Sequence, residues 1–317
     1  MRRVRLRLAL LAAAGALALT GCDGMQSYVG ATAPAPRPPL ASLRPPQPSP
    51  ESRAQAVYFS KVQADLLTQG LLRRDGGGPD VPFSARNLAD NFIKVALYDE
   101  YTDQGGRLIA RETPSHLRRW EQPIRMALEF GPTIAPSQRT KDRANIAHYT
   151  RRLSRLTGLP IRLNAANPNF HVLILNEDER RAVGPYLRKL VPGIEERAVR
   201  TITDMPRATL CLVFAFSDDN SPGAYTQAVA VIRGEHPDLL RLSCIHEELA
   251  QSLGLANDSP AARPSIFNDD EEFGLLTSQD ELMLKMLYDK RLKLGMTPRE
   301  ARPIVEKIAA ELMGGAA

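Results

Sequence analysis

The sequence predicts a single mixed α+β domain that finishes in helices. Three observations carry this. Of 317 residues, 43% are hydrophobic and 24% charged, the balance of a globular domain with a core to bury. Continuous apolar runs read as strands and amphipathic stretches as helices, but the two kinds of element do not alternate strictly. No glycine-rich turn joins a strand to a helix, so a doubly wound nucleotide-binding fold does not fit.

The chain opens on Arg2, Arg3, Arg5 and Arg7, followed by an apolar run over residues 8–19 and then Thr20-Gly21-Cys22. A basic start, a short apolar run and a small-residue site make a secretory signal peptide over residues 1–21. The run is shorter than the roughly 20 apolar residues that span a bilayer. Leu19-Thr20-Gly21-Cys22 resembles the bacterial lipobox. That resemblance implies that Cys22 is diacylated and becomes the mature N-terminus, holding the protein in the bacterial cell envelope, facing the periplasm. Without those four arginines the formal charge falls from +5 to +1, so the basic balance belongs to export and no nucleic-acid partner is expected. Beyond Cys22 only Cys211 and Cys244 remain. An even pair in an oxidising compartment is expected to form a disulfide.

Residues 22–52 read as the lipidated cysteine and a tether. Residues 31–52 hold eight of the 25 prolines and extend at about 3.1 Å per residue, a reach of roughly 60–70 Å. Residues 53–82 follow as a helix and a loop. Val57, Tyr58, Val62, Leu66 and Leu67 recur at helical spacing, and Gly76-Gly77-Gly78-Pro79 breaks the chain. The main domain is expected over residues 83–317. It opens with a helix over 84–101 that places Leu88, Phe92, Val95 and Tyr98 on one face. A strand over 123–131, a helix over 144–158 closed by Gly158 and a buried strand over 170–175 come next. A helix near 179–190, a buried strand over 210–216, a strand over 227–233 and a helix over 240–253 ended by Gly254 complete the order. Thr277 with Asp280, and Thr297 with Glu300 behind Pro298, open the last two helices as capping boxes.

The densest polar cluster is Cys244, His246, Glu247, Glu248, Gln251, Gly254, Asn257 and Asp258. Read from His246, an HExxH zinc helix fails, because its second ligand position is Ala250, which has no donor atom. Read one residue later, Glu247 and Gln251 form the i, i+4 pair and Glu248 stands beside the first. Gly254 and Asn257 follow at three-residue steps. This spacing resembles HExxHxxGxxH, the signature of the metzincin zinc peptidases. Ser265-Ile266-Phe267-Asn268 is similar to their Met-turn, with Phe267 in place of Met. Leu276-Thr277-Ser278-Gln279-Asp280 with Met286-Leu287-Tyr288 is similar to their last helix. The resemblance covers residues 123–290. It implies a metzincin-like zincin fold: a mixed sheet, a motif helix and C-terminal helices. Glu247, Gln251 and Asn257 take the metal positions, Glu248 the general base, and Gly254 and Phe267 support the motif. Substrate in such enzymes lies extended along an edge strand above the motif helix, here residues 210–216 or a neighbour. The whole chain is also similar to bacterial lipoproteins carrying a domain of unknown function.

The departures decide the expected chemistry. Zinc sites use His, Cys and carboxylate, whereas these positions offer one carboxylate and two amides, a set that suits harder cations and holds them weakly. The expectation is therefore an inactive peptidase-like module without a cofactor, which binds an extended peptide or an envelope protein. One alternative is a divergent metallopeptidase with Glu248 as base, a divalent metal, and His246 or Asp258 recruited as donor. Another is a structural lipoprotein with a filled cleft. The acidic run over residues 268–272 reads as a solvated loop. His116, His148 and His171 read as structural, and His236 as a residue that approaches the motif helix.

Overall fold

The computed structural model describes residues 46–104, 107–217, 222–268 and 270–314. The export segment, Cys22, the tether up to residue 45 and Asp269 of the acidic run lie outside them. Helix α1 (Pro50–Thr68) starts three residues before the expected boundary at 53, because the Ser49 side chain accepts a hydrogen bond from Ser52 N and proline sits in the first turn. Its apolar spacing is met in part: Val62 and Leu66 pack against a small cluster of Phe59, Leu72 and Leu240. Val57 and Leu67 are exposed, while Ser52, Gln55 and Phe59 are buried. A polar contact adds to the docking: Ser52 Oγ donates to Glu235 Oε1 at 2.7 Å.

Helix α2 (Ala85–Leu97) buries Leu88, Phe92 and Val95 as expected. It ends earlier than predicted, since Tyr98 is already extended, and the chain turns into a hairpin of β1 (Tyr98–Gln104) and β2 (Arg107–Pro114). That hairpin was hidden by its polar composition. The order then runs through β3 (Arg119–Trp120), β4 (Ile124–Phe130), α3 (Pro136–Thr157), β5 (Ile161–Leu163) and β6 (Phe170–Leu175). Gly158 adopts a left-handed φ of 72° and stops α3. The single helix expected near 179–190 is broken into α4 (Glu177–Arg181) and α5 (Gly184–Leu190), where Pro185 removes a backbone donor. Then follow α6 (Glu196–Thr203), β7 (Cys211–Ser217), β8 (Ala224–Arg233), α7 (Asp238–Gln251), α8 (Ser278–Leu287) and α9 (Pro298–Leu312). Both expected capping boxes open α8 and α9.

The main sheet runs β5-β4-β6-β8, with β3 and β7 also pairing β8. Every pairing is parallel except β7 with β8, which is antiparallel. The fold is thus mixed α+β with a mainly parallel sheet. Strand alternation divides the apolar residues between two layers. Phe170, Val172, Ile174, Ala228, Ala230 and Ile232 face a core shared with α2, α3, α7, α8 and α9. Leu173, Leu175, Val229 and Val231 face α4 to α6 through Val183, Leu187, Val199 and Ile202. A strand buried on both faces is apolar almost throughout, and β6 is apolar at every position but His171. The run around residue 210 was expected to be equally buried. It is instead only half-buried beyond Cys211, because β7 lies at an edge and pairs no strand but β8 among the described residues. No described helix is long and apolar enough to cross a membrane.

Candidate functional site

Helix α7 carries the polar cluster, and remote groups hold both of its ends. Its N-cap is Pro237, which offers no side-chain acceptor. Gln63 Oε1 of α1 takes the hydrogen bond from Leu240 N at 2.9 Å instead. At the other end, Trp120 Nε1 donates to Ser252 O at 2.9 Å and Tyr288 OH to Leu253 O at 3.0 Å. Between them, Ile245 and Leu249 pack into the core, and Ser243, Glu247, Glu248 and Gln251 line a cavity of about 690 Å³. Residues four apart lie one turn apart on the same face, which explains the grouping of 243, 247 and 251.

The opposite wall is the edge of β7. Residues 210–215 all line the cavity. Side chains of a strand alternate between faces, so consecutive lining residues mean that the cavity runs along the backbone edge. Pro206, Ala208 and Thr209 form a strap at one end, and Ile266, Asn268 and Phe273 lie below. Asp99 and Arg118 join the lining as an ion pair. Of the expected metal positions, the cavity unites Glu247 and Gln251 but not Asn257. Asn257 is buried under α2, where its backbone N–H donates to Val95 O at 3.0 Å and its amide Nδ2 to Lys94 O at 2.9 Å. The carbonyls of a last helical turn need outside donors, and this loop supplies two. The neighbouring Asp258 enters the cavity instead and accepts from Gln251 Nε2 at 3.1 Å. With its third position turned away and no imidazole, the donor set does not fit a zinc ion on this helix face.

Gly254 has φ 123°, and a Cβ there would lie 2.2 Å from Arg118 O. Only glycine allows this turn. Phe267 is fully buried, and its N–H donates to Ser265 Oγ at 3.0 Å. Ser265 Oγ in turn donates to Asp280 Oδ1 at 2.6 Å, while Ile266 N donates to Asp280 Oδ2 at 3.1 Å. The turn that shapes the cavity floor is therefore tied to the capping box of α8. Burial pushes the Asp280 carboxyl above the usual range.

Cys211 and Cys244 form the expected disulfide, Cα–Cα 5.8 Å, which joins β7 to α7 across the cavity wall. Closing 33 residues restrains the unfolded chain by about 4 kcal/mol. The double variant Cys211→Ala, Cys244→Ala should lose close to that in urea unfolding.

His246 does not reach the cavity. Its ring stacks on Tyr149 with centroids 3.9 Å apart, and its Nδ1 accepts from Leu276 N at 3.1 Å. Burial, with Arg152 nearby, lowers its pKa to about 3. His236 packs edge-on to Phe59 beside Cys244, and burial with Arg233 and Arg241 holds it well below the ordinary value. Both imidazoles stay neutral in the folded chain and protonate below about pH 6.5 when it unfolds. Stability should therefore be full above that pH and fall as pH drops, by about 1.4 kcal/mol per pH unit for each histidine. Denaturant midpoints between pH 7 and 5 measure this, and His246→Gln should flatten the slope. His171 is held by Glu129 at 2.9 Å, and Glu272 of the acidic run is engaged by Arg263 and Arg73.

Sequence reasoning missed Asp99, Arg118 and the strap over 205–209, because no periodicity or motif marks them. Asp258 had a signal: it stands next to the motif position that turns away.

About a third of the chain is similar to the septation ring formation regulator EzrA of three Listeria monocytogenes strains. The match has 30% identity over 109 residues, covering 32% of this chain and 18% of that protein. This chain thus spans under a fifth of the curated relatives it matches. No solved structure matches it. A family described as proteins of unknown function, DUF2927, matches residues 85–307, from α2 through most of α9, and the chain belongs to that family.

Proposed function

We propose that the protein is a lipid-anchored envelope module that binds an extended peptide along the outer edge of β7, over the face of α7, without peptidase chemistry. The observation that carries this reading is the edge itself. β7 is an antiparallel edge strand whose residues 210–215 line a cavity of about 690 Å³. A strand edge recognises an extended peptide through main-chain hydrogen bonds and needs no metal to do so. The placement of this edge above a helix bearing Glu247, Glu248 and Gln251 agrees with the metzincin resemblance, and the turned-away Asn257 agrees with loss of the metal. The anchor rests on the lipobox at Cys22.

The test is amide hydrogen exchange of the full chain before and after addition of peptides selected from a random library. Bound peptides should slow exchange across Cys211–Ser217. Peptides that bind and leave those amides unchanged would count against the reading. Cleavage of the peptides, lost in Glu248→Gln, would favour the divergent-peptidase alternative.

A further inference from the structure

We infer that the outward face of α3 docks on anionic phospholipid headgroups through Arg143, Arg151 and Arg155, and so sets how the anchored domain sits on its membrane. The inference rests on the lipid anchor proposed above and adds to it the surface of the domain that meets the lipid.

Charge is segregated along this chain. Residues 131–176 hold seven lysines and arginines and a single carboxylate, Asp142, a net +6. The chain from Cys22 onward carries only +1, so its other residues together carry −5. Asp142 does not offset the α3 surface, because it is buried against Arg241 at 2.9 Å. The inner face of α3 buries Ile146, Tyr149 and Leu153. The opposite face runs Lys141, Ala144, His148, Arg151 and Arg155, at alternating steps of three and four. All five are exposed, as is Arg143 beside them.

Lys141 is taken up by Asp238, and Arg152 on the flank by Glu281 at 2.7 Å. Arg143, Arg151 and Arg155 form no ion pair among the described residues, and Arg143 leans on the Phe130 ring, 5.0 Å away. Helix stability does not ask for this pattern. Arg155 suits the negative C-terminal end of α3, but Arg143 and Arg151 lie before the last turn, beyond its reach. Arg151 and Arg155, four residues apart, repel each other. The three arginines spread over about 18 Å of helix, which one small anion cannot span and a plane of headgroups can.

The point where the tether enters is an independent observation. The described chain begins at residue 46, and α1 starts at Pro50. Ser52 of α1 bonds to Glu235, and the adjoining Gly234 O accepts from Gln138 Nε2, in the first turn of α3, at 3.0 Å. The chain that leads from Cys22 therefore joins the domain beside α3. A basic surface and a lipid anchor hold a membrane better together than either does alone. α3 packs against β5 at one end of the sheet, and β7 lies at the other, beyond β4, β6 and β8. Docking through α3 leaves the β7 edge open to a peptide.

Co-sedimentation with vesicles tests this on residues 22–317 carrying Cys22→Ser, which keep every described residue and take no lipid. This chain should bind vesicles of mixed phosphatidylglycerol and phosphatidylcholine, ignore pure phosphatidylcholine, and be released by salt. Each arginine near such a surface is worth about fivefold in binding, so the Arg143→Gln, Arg151→Gln, Arg155→Gln variant should bind about a hundredfold more weakly. The Arg188→Gln, Lys189→Gln, Arg200→Gln variant removes the same charge from exposed positions of α5 and α6 and should lose far less. Equal losses in the two variants, equal binding to neutral vesicles, or binding that salt leaves unchanged would each overturn the inference. So would heparin binding through the same three arginines by a chain that ignores anionic vesicles, since the partner would then be a soluble polyanion. The mass of the chain recovered from bacterial membranes reads the lipid on Cys22 separately, so failure of the anchor and failure of the face are told apart.

Discussion

Gly254→Ala should lower stability by at least about 3 kcal/mol in urea unfolding, and should disturb the cavity as well. Two costs combine at this position. A side chain at φ 123° is strained in itself, and its Cβ would lie 2.2 Å from the backbone oxygen of Arg118. A backbone atom inside a packed core has little room to retreat. Gly158→Ala is the control. Its φ is also positive, at 72°, but a Cβ there meets nothing within 4 Å, so it should cost only about 1–2 kcal/mol. The difference between the two variants isolates the close approach. Because Gly254 sets the path between α7 and Asp258, its variant should also lose any peptide that binds over β7. Gly158→Ala should keep it.

Glu177→Ala should cost about 3–5 kcal/mol, the range for breaking a buried ion pair from one side. The Glu177 carboxylate is 3% exposed and accepts from Arg180 at 2.7 Å and from Arg233 at 2.8 Å, both guanidiniums being 1% exposed. Removing it leaves two buried cations uncompensated. The loss reaches the cavity, since Arg233 also donates to the carbonyls of Met205, Pro206 and Thr209 and so holds the strap at its end. Burial alone would raise the Glu177 pKa, but the hydrogen bond and charge of Arg180, with Arg233 and Arg181, bring it below the ordinary value. A carboxyl whose pKa is lowered on folding adds stability above its unfolded pKa, and that stability is lost as pH falls through the folded one. The wild-type chain should therefore weaken below about pH 4.5, and Glu177→Ala should show a flatter acid limb. Chemical unfolding at pH 7, 5 and 4 separates the two.

These two residues differ in how visible they were beforehand. Gly254 was legible, since it sits at a fixed step from the motif residues and at the end of an amphipathic helix. Glu177 was not, since its partners Arg180 and Arg233 belong to α4 and to the far end of β8. A charged residue on a short helix reads as solvated until the sheet brings a second cation against it. The same contrast runs through the fold. The apolar run of β6 announced a buried strand, whereas β1 and β2 were too polar to read as strands. The spacing of Val57, Tyr58, Val62, Leu66 and Leu67 announced a helix correctly and its buried face in part: Val62 and Leu66 pack inward beside Phe59, whereas Val57, Tyr58 and Leu67 are exposed and Ser52 and Gln55 are buried instead.

By itself the sequence determined what depends on near neighbours. Strand and helix periodicity, the capping boxes of α8 and α9, and the glycine turns after α3 and α7 all follow from interactions within a few residues. It also singled out Glu247, Glu248 and Gln251 as one helical face, because helix geometry alone places them there. Tertiary structure alone decided which of the motif residues share a cavity. Asn257 turns away because the last turn of α2, some 160 residues earlier in the chain, needs donors for its carbonyls, and Asp258 takes its place. Tertiary structure also made β7 an edge, since whether a strand has one neighbour or two depends on how the whole sheet is ordered. That order left one strand edge open above α7, which is why the cavity lies there.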